Sequence, residues 1–285
     1  MLVVARFPIP SQGETVAAVI GDPVLHSLSP TIYNAAFKHD QVNWSYSAVN
    51  IATEHVGDLL EEMRQQHVGG ISVTMPHKAT VAKLVDDMTR HAEKLGAVNC
   101  VSKNGGTLVG HNTDGEGFLR ALETETEEAV EGKSCLIIGA GGAAKAVALA
   151  LGEAGASEVT VTSRNVSKSE RAAALAGHVG RVGSITESDR ADVIINATPI
   201  GMQGTGNEGN TPVPIDNIHK HQIIVDLIYH PLETELLKNA SSIGARTING
   251  IGMLVHQAAL QYTLWTQKDA PFEIMQSAVI QKISE

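Results

Sequence analysis

Short apolar runs alternate with helical patterns along most of this chain. Val16 to Ile20, Trp44 to Val49 and Ile71 to Thr74 read as strands, since brief apolar or β-branched runs bounded by polar turns are what a buried strand looks like. Between them, Pro30 to His39 and Glu54 to Gln66 carry apolar residues at helical spacing. After the acidic stretch Glu123 to Glu131 the rhythm resumes more tightly. CLIIG, ending at Gly139, reads as a strand, Gly142 to about Leu151 as a Gly/Ala-rich helix, and EVTVTS, ending at Ser163, as the next strand, a βαβ pattern. Further strands are predicted at Val193 to Asn196 and Ile223 to Asp226, with a late helix from Met253 to Trp265. This alternation predicts an α/β fold, sheets covered by helices, rather than an all-β sandwich. Poor in apolar residues, the acidic stretch reads as a solvated loop or helix end and as a boundary region, with a nucleotide-binding domain starting near it.

A length of 285 residues suggests two domains. With 43% apolar and 18% charged residues the chain has the composition of a folded protein. The opening MLVVARFPIP reads as an irregular N-terminal extension, because Arg6 and two prolines interrupt its apolar start and no small-residue cleavage pattern follows. No stretch approaches the ~20 apolar residues of a membrane span. A formal net charge of −10 argues against nucleic acid or an anionic membrane as partner, since either needs a basic face. An anionic ligand would need local donors. The two cysteines, Cys100 and Cys135, each lie in an apolar run, which points to no disulfide framework and to a reducing cytoplasm. The 12 histidines are scattered without ligand spacing, so no metal is expected.

Gly139, Ala140, Gly141, Gly142, Ala143 and Ala144 form a G-x-G-x-x-A turn between strand and helix. Glycines there let the backbone approach a pyrophosphate held at the helix N-terminus. A Gly-rich turn alone could simply close a tight connection, but the βαβ setting favours a dinucleotide. NAD-binding versions carry an acidic residue about 20 positions on. Here Ser163-Arg164-Asn165 follows the second strand; a guanidinium at Arg164, with Lys168 nearby, suits a 2′-phosphate, so the cofactor is expected to be NADP.

Polar turns also punctuate the first part. Ser27-Leu28-Ser29-Pro30 places a capping residue, Ser29, before a proline at the first helical position; this is an ordinary helix start and also a neutral cradle for a carboxylate. Gly70 to Lys78 ends a buried strand in a proline turn with one lysine, and GAVN (to Asn99) and HNTD (to Asp114) bring a carboxamide and a carboxylate to two further element ends.

Taken together these motifs resemble the shikimate dehydrogenase family, in order from Gly21 to about Gln261: SLSP, SVTMPHK, GAVN, HNTDGEG, GAGGAA with SRN, NATPIGM, DLIYHPLET and NGIGMLVHQ. The resemblance implies two α/β domains: a substrate domain of residues 1 to 113 completed by 250 to 285, and a Rossmann-type doubly wound NADP domain of residues 114 to 249. It implies that Ser27 and Ser29 hold the substrate carboxylate, that Thr74, Asn99 and Gln257 bind ring hydroxyls or the carboxylate region, and that Tyr229 lines the site. Lys78 and Asp114 would be the catalytic pair, Asp114 also touching substrate, while Asn196, Thr198, Met202, Gly250 and Met253 place the nicotinamide side of the cofactor. Two positions depart from the common pattern: Tyr33 stands where His is frequent, and Ser72 where Asn is frequent. The shorter serine is expected to hold one substrate hydroxyl through water or less tightly.

The activity implied is reversible reduction of 3-dehydroshikimate to shikimate with NADPH, in aromatic amino-acid biosynthesis. A lysine ordinarily carries its charge at neutral pH, and a neighbouring carboxylate favours that form, so Lys78 suits the role of electrophile and acid, with Asp114 orienting it. Three rivals stand against this reading. An NAD-using quinate/shikimate dehydrogenase should have an acidic residue where Arg164 stands; a dinucleotide sensor without turnover needs neither Lys78 nor Asp114; a metal-dependent hydrolase lacks its ligand motif. The expected partner is a small molecule, neither nucleic acid nor membrane, and a homodimer is compatible with the sequence without being specified by it.

Overall fold

A computed structural model describes residues 6–65 and 67–285, so the first five residues, and Gln66 at the end of the expected second helix, lie outside the described residues. The chain divides into two compact units, one ending at Thr113 and completed by Gln257–Glu285, the other Asp114–His256.

In the first unit the elements run β1 (Thr15–Gly21), α1 (Ser29–His39), β2 (Trp44–Asn50), α2 (Val56–Gln65), β3 (Val68–Val73), α3 (Lys78–Val81), β4 (Asp87–Met88), α4 (Arg90–Leu95), β5 (Cys100–Asn104) and β6 (Thr107–His111). They form a mixed sheet in the order β2-β1-β3-β5-β6-β4. The β2-β1-β3 part is parallel, whereas β5 runs antiparallel to both β3 and β6. Because side chains alternate along a strand, Ile71 and Val73 enter one face of the sheet, where they join Leu59, Leu60 and Met63 of α2 in a buried cluster. Phe7 packs into the same cluster, so the N-terminal extension contributes to the core despite its irregular sequence. Gly70 is a requirement of packing: a Cβ there would come within 2.2 Å of the Trp265 indole.

The second unit contains α5 (Asp114–Thr126), β7 (Ser134–Ile138), α6 (Gly142–Glu153), β8 (Glu158–Thr162), α7 (Val166–Ala173), β9 (Gly180–Val182), β10 (Val193–Asn196), β11 (Ile223–Asp226), α8 (Glu235–Ile243) and β12 (Arg246–Ile248). The chain then follows α9 (Ile251–Thr266) and α10 (Phe272–Ser284). The sheet order is β12-β11-β10-β7-β8-β9, with every neighbouring pair parallel. Chain order reverses between β7 and β10, which is where open α/β sheets of this topology bind ligands. Strands buried on both faces read as continuous apolar runs. Ile137, Val159, Val193 and Ile195 are all fully buried here, each side chain stabilising the fold by roughly 1.5–3 kcal/mol relative to exposure.

The acidic stretch is not the place where the chain divides. α5 runs through it as far as Thr126, and Phe118 and Leu122 are buried in the second unit's core, so the division comes before this helix, after Thr113. The helix presents glutamates outward and apolar residues inward, which is why its second half looks solvated in sequence. Glu128, just beyond it, pairs with Lys133 (2.6 Å) and Arg246 (2.8 Å).

Candidate active site

In the first unit the polar turns predicted to meet the substrate lie at element ends. Ser29 does not act as a side-chain N-cap. Leu28 is already helical (φ −81°, ψ −7°) and its carbonyl accepts from Ile32 N, so α1 starts one residue earlier than the serine pattern suggests. The two hydroxyls are instead turned to each other: Ser27 Oγ donates to Ser29 Oγ (3.1 Å) and accepts from Ser29 N (3.2 Å). Thr74 and Lys78 bracket the turn between β3 and α3. That turn is pinned by His77, whose fully buried ring donates from Nε2 to the Ile51 carbonyl (2.8 Å), with Thr53 Oγ1 3.4 Å from Nδ1. The Lys78 carbonyl accepts from Val98 N, next to Asn99.

Asn99, almost completely buried, makes a two-point bond with Thr113, accepting from its amide (2.9 Å) and donating to its Oγ1 (3.0 Å). Thr113 Oγ1 in turn lies 3.2 Å from the Gln257 carbonyl, so Asn99, Thr113 and Gln257 form one group. Ser72 is held within the fold. Its hydroxyl accepts from Tyr46 Oη (2.6 Å) and donates to Gln261 Oε1 (2.5 Å), and it is occupied within the core. Tyr33, the other departure, donates to the same Gln261 oxygen (3.0 Å).

In the second unit the glycine-rich turn joins β7 to α6. Gly139 has φ +118°, and a Cβ would meet the Ala197 carbonyl at 2.7 Å, so both its conformation and its surroundings require glycine. Gly141 and Gly142 are exposed, and an added Cβ would meet nothing within 4 Å. The first turn of α6 has no side-chain cap, and the turn is flanked by Ala140 and Ala143. A helix N-terminus without a side-chain cap, opening on two exposed glycines, fits a pyrophosphate. After β8, Ser163 Oγ bonds the Asn165 carbonyl (3.0 Å) and Asn165 caps α7 through Lys168 N (3.0 Å). This fixes the loop bearing Arg164, which is exposed and has no carboxylate paired with it among the described residues. A guanidinium and a lysine on an ordered turn fit a 2′-phosphate.

The loops after β10 and β11 are tied together from below. Asn196, wholly buried, donates to the Ile200 carbonyl (3.0 Å) and to Asp226 Oδ1 (3.0 Å) and accepts from Thr198 Oγ1 (2.7 Å). Asp226 also accepts from Ile228 N (3.1 Å) and Thr234 Oγ1 (2.7 Å). Burial outweighs these bonds and pushes its carboxyl up to about 6. Asn196 and Thr198 thus act on the shape of the loop that carries Met202, which is partly exposed. Burial also pushes the Tyr229 phenol up. Gly250 sits where a Cβ would meet the Leu227 carbonyl at 2.2 Å, and Met253 packs on the unit's core. Lys78 belongs to the first unit and Asp114, buried, opens the second. Among the described residues no group of three His, Cys, Asp or Glu could hold a metal ion.

Three family models match consecutive parts of the chain: the shikimate dehydrogenase substrate binding domain over residues 19–101, shikimate / quinate 5-dehydrogenase over 121–233, and the shikimate 5′-dehydrogenase C-terminal domain over 250–280. The chain belongs to the shikimate dehydrogenase family. Among its relatives, the shikimate dehydrogenase (NADP(+)) of Methanopyrus kandleri is 41% identical over 279 residues, covering 94% of this chain and 96% of that one. A shikimate dehydrogenase solved in complex with NADP+ has a TM-score of 0.91 at 36% identity, covering 97% of this chain and 98% of its own. That of Thermus thermophilus, solved with NADP(H) and shikimate, has a TM-score of 0.86 at 33% identity, covering 94% and 99%. Within this shikimate dehydrogenase frame, sequence reasoning missed His77, Asn34, Asp226 and Gln261. Asn34 clamps Tyr46 by accepting from its amide and donating to its carbonyl, both at 2.9 Å. All four act by holding other residues: His77 and Asp226 lie inside quoted motifs but bond neighbouring segments, Gln261 is buried, and Asn34 works from an exposed position.

Proposed function

We infer that this chain is an NADP-dependent shikimate dehydrogenase that reversibly reduces 3-dehydroshikimate to shikimate, a step of aromatic amino-acid biosynthesis. The observation that carries this reading is near-full-length likeness, at 33% identity, to an enzyme solved with both NADP(H) and shikimate. Arg164 after β8 adds the choice of NADP over NAD.

Ser27 and Ser29 receive the substrate carboxylate through their hydroxyls, and Thr74, Asn99, Gln257 and Tyr229 bond the rest of the polar substrate. The turn at Gly139, Ala140, Gly141, Gly142 and Ala143 holds the cofactor pyrophosphate, and Ser163, Arg164 and Lys168 hold its adenosine phosphate. Asn196, Thr198, Met202, Gly250 and Met253 shape the nicotinamide end. When bound, the reduced cofactor supplies hydride to the substrate ketone. As negative charge grows on the ketone oxygen, the Lys78 ammonium neutralises it and delivers a proton, while Asp114 orients the ammonium and the neighbouring hydroxyl. In the reverse direction the pair takes the hydroxyl proton back. Two buried free cysteines, their thiols pushed up by burial, suit a reducing cytoplasm, and no helix among the described residues is long and apolar enough to cross a membrane.

The test is oxidation of shikimate by purified protein, read by reduced-cofactor absorbance, with NADP and NAD in parallel and quinate for comparison. Fast turnover of shikimate with NADP is expected. Preference for NAD would overturn the Arg164 argument, and absence of turnover with any pair would overturn the substrate.

A further inference from the structure

Tyr33 and Ser72 are 39 positions apart in sequence, yet their hydroxyls converge on one atom. Gln261 Oε1 accepts from Tyr33 Oη at 3.0 Å and from Ser72 Oγ at 2.5 Å, and Ser72 itself accepts from Tyr46 Oη at 2.6 Å. The two phenols are stacked, ring centroids 4.3 Å apart, and all four side chains are buried. Burial pushes both phenols well above their ordinary range, so they stay protonated and act as donors. With its oxygen saturated from this side, the Gln261 amide directs Nε2 the other way, to Thr113 Oγ1 (3.1 Å) and Gln257 Oε1 (2.8 Å).

The polarity of this line is anchored at its far end by main-chain groups. Thr113 N donates to Asn99 Oδ1, so Asn99 Nδ2 must be the donor to Thr113 Oγ1. The Thr113 hydroxyl has acceptors in the Gln257 carbonyl (3.2 Å) and Asn99 Oδ1 (3.3 Å), which leaves its oxygen to accept from Gln261. The donors therefore run from the two tyrosines and Ser72 into Gln261 Oε1, and from Gln261 Nε2 onward to Thr113 Oγ1 and Gln257 Oε1. Because Gln257 turns its oxygen to Gln261, its NH₂ points away from Gln261.

We propose that Gln261, locked by Tyr33 and by Ser72 backed on Tyr46, is a positioning residue that sets the specificity of the substrate site: it fixes the amide orientation of Gln257, so that Gln257 meets the substrate as a hydrogen-bond donor to a ring oxygen. This rests on the reading that Gln257 contacts shikimate. The two departures from the common family pattern are parts of one device, since the phenols fill the space and supply the donors that a longer residue at position 72 would otherwise occupy. An asparagine at position 72 would drive its extra atoms into Tyr46 Oη and Gln261, both already at hydrogen-bond distance.

A double-mutant cycle on the full chain tests this. Gln261→Met keeps the volume but removes the amide. It should raise the KM for shikimate about tenfold or more, about 1.4 kcal/mol, while the KM for NADP stays within about twofold. Gln257→Met should raise the KM for shikimate similarly. In the Gln257→Met background, adding Gln261→Met should change it by less than about twofold, because the proposed route from Gln261 to the substrate runs through Gln257 rather than through Thr113 and Asn99. Multiplying effects, or a Gln261→Met protein whose melting temperature falls while its shikimate KM is unchanged, would overturn the proposal. Should Gln261→Met fail to fold, Tyr33→Phe, which removes one donor and no carbon, goes through the same cycle with the same criteria at about threefold. Parent protein that does not oxidise shikimate at all would overturn the proposed function itself, a result distinct from normal parent kinetics with silent variants.

Discussion

Replacing Asp226 by Asn should stabilise the protein above about pH 6 and remove a pH dependence opposite in sign to that of most carboxylates. Asp226 has no exposed surface and accepts from Asn196, Ile228 N and Thr234. Those bonds favour the charged form, but burial outweighs them and lifts the group from 3.8 to about 6. In the unfolded chain it titrates at about 3.9. The folded state therefore binds this proton more tightly, so the contribution is fully present below about pH 3.9 and is lost as pH rises through about 6. At about 1.36 kcal/mol per unit, a shift of about two units is worth on the order of 3 kcal/mol. Asparagine carries no charge to desolvate; its oxygen still accepts from Asn196 and Ile228 N, and the Thr234 hydroxyl rotates to accept from its NH₂. Urea unfolding of both proteins between about pH 5 and pH 8 reads the difference. The variant's advantage should widen by about 1–2 kcal/mol over that range. An advantage that is flat or shrinks with rising pH would refute the idea that a buried carboxylate is charged there at a cost.

Two substitutions probe the chemistry. Arg164→Asp places a carboxylate where a 2′-phosphate would lie; the KM for NADP should rise far more than that for NAD, and equal changes would sink the NADP argument. Lys78→Met should leave both Michaelis constants nearly intact and lower kcat by roughly 10²–10⁴, the range for a positioned acid or base; turnover near that of the parent would reject the role.

The nucleotide-binding half is legible because its chemistry is encoded locally. Gly139 needs its positive φ, and the strand, turn and helix that give the glycines meaning lie within 20 residues of one another. Val193–Asn196 and Ile223–Asp226 are read correctly to the residue, since strands in the middle of a parallel sheet are apolar on both faces. The start of α1 is misread by one residue because Ser29-Pro30 satisfies a capping rule that Leu28 pre-empts by being helical already. The acidic end of α5 is misread because its charges dominate the composition while Phe118 and Leu122 do the packing.

What sequence could not supply is polar coupling across long separations. Tyr33 meets Gln261 at a distance of 228 residues and Ser72 meets it at 189, so each departure from the family pattern looks, in sequence, like an isolated loss at the substrate site. In the folded unit the same hydroxyls are fully engaged with one another, and a buried donor or acceptor left unmade costs about 1–3 kcal/mol. A change at one of them alone therefore leaves a buried partner unmade: Tyr46 donates to Ser72, and Gln261 accepts from Tyr33. Side chains that contact the ligand are recognisable one at a time from motifs. Those that aim them are recognisable only as a set, once the fold has brought α1, β2, β3 and α9 together.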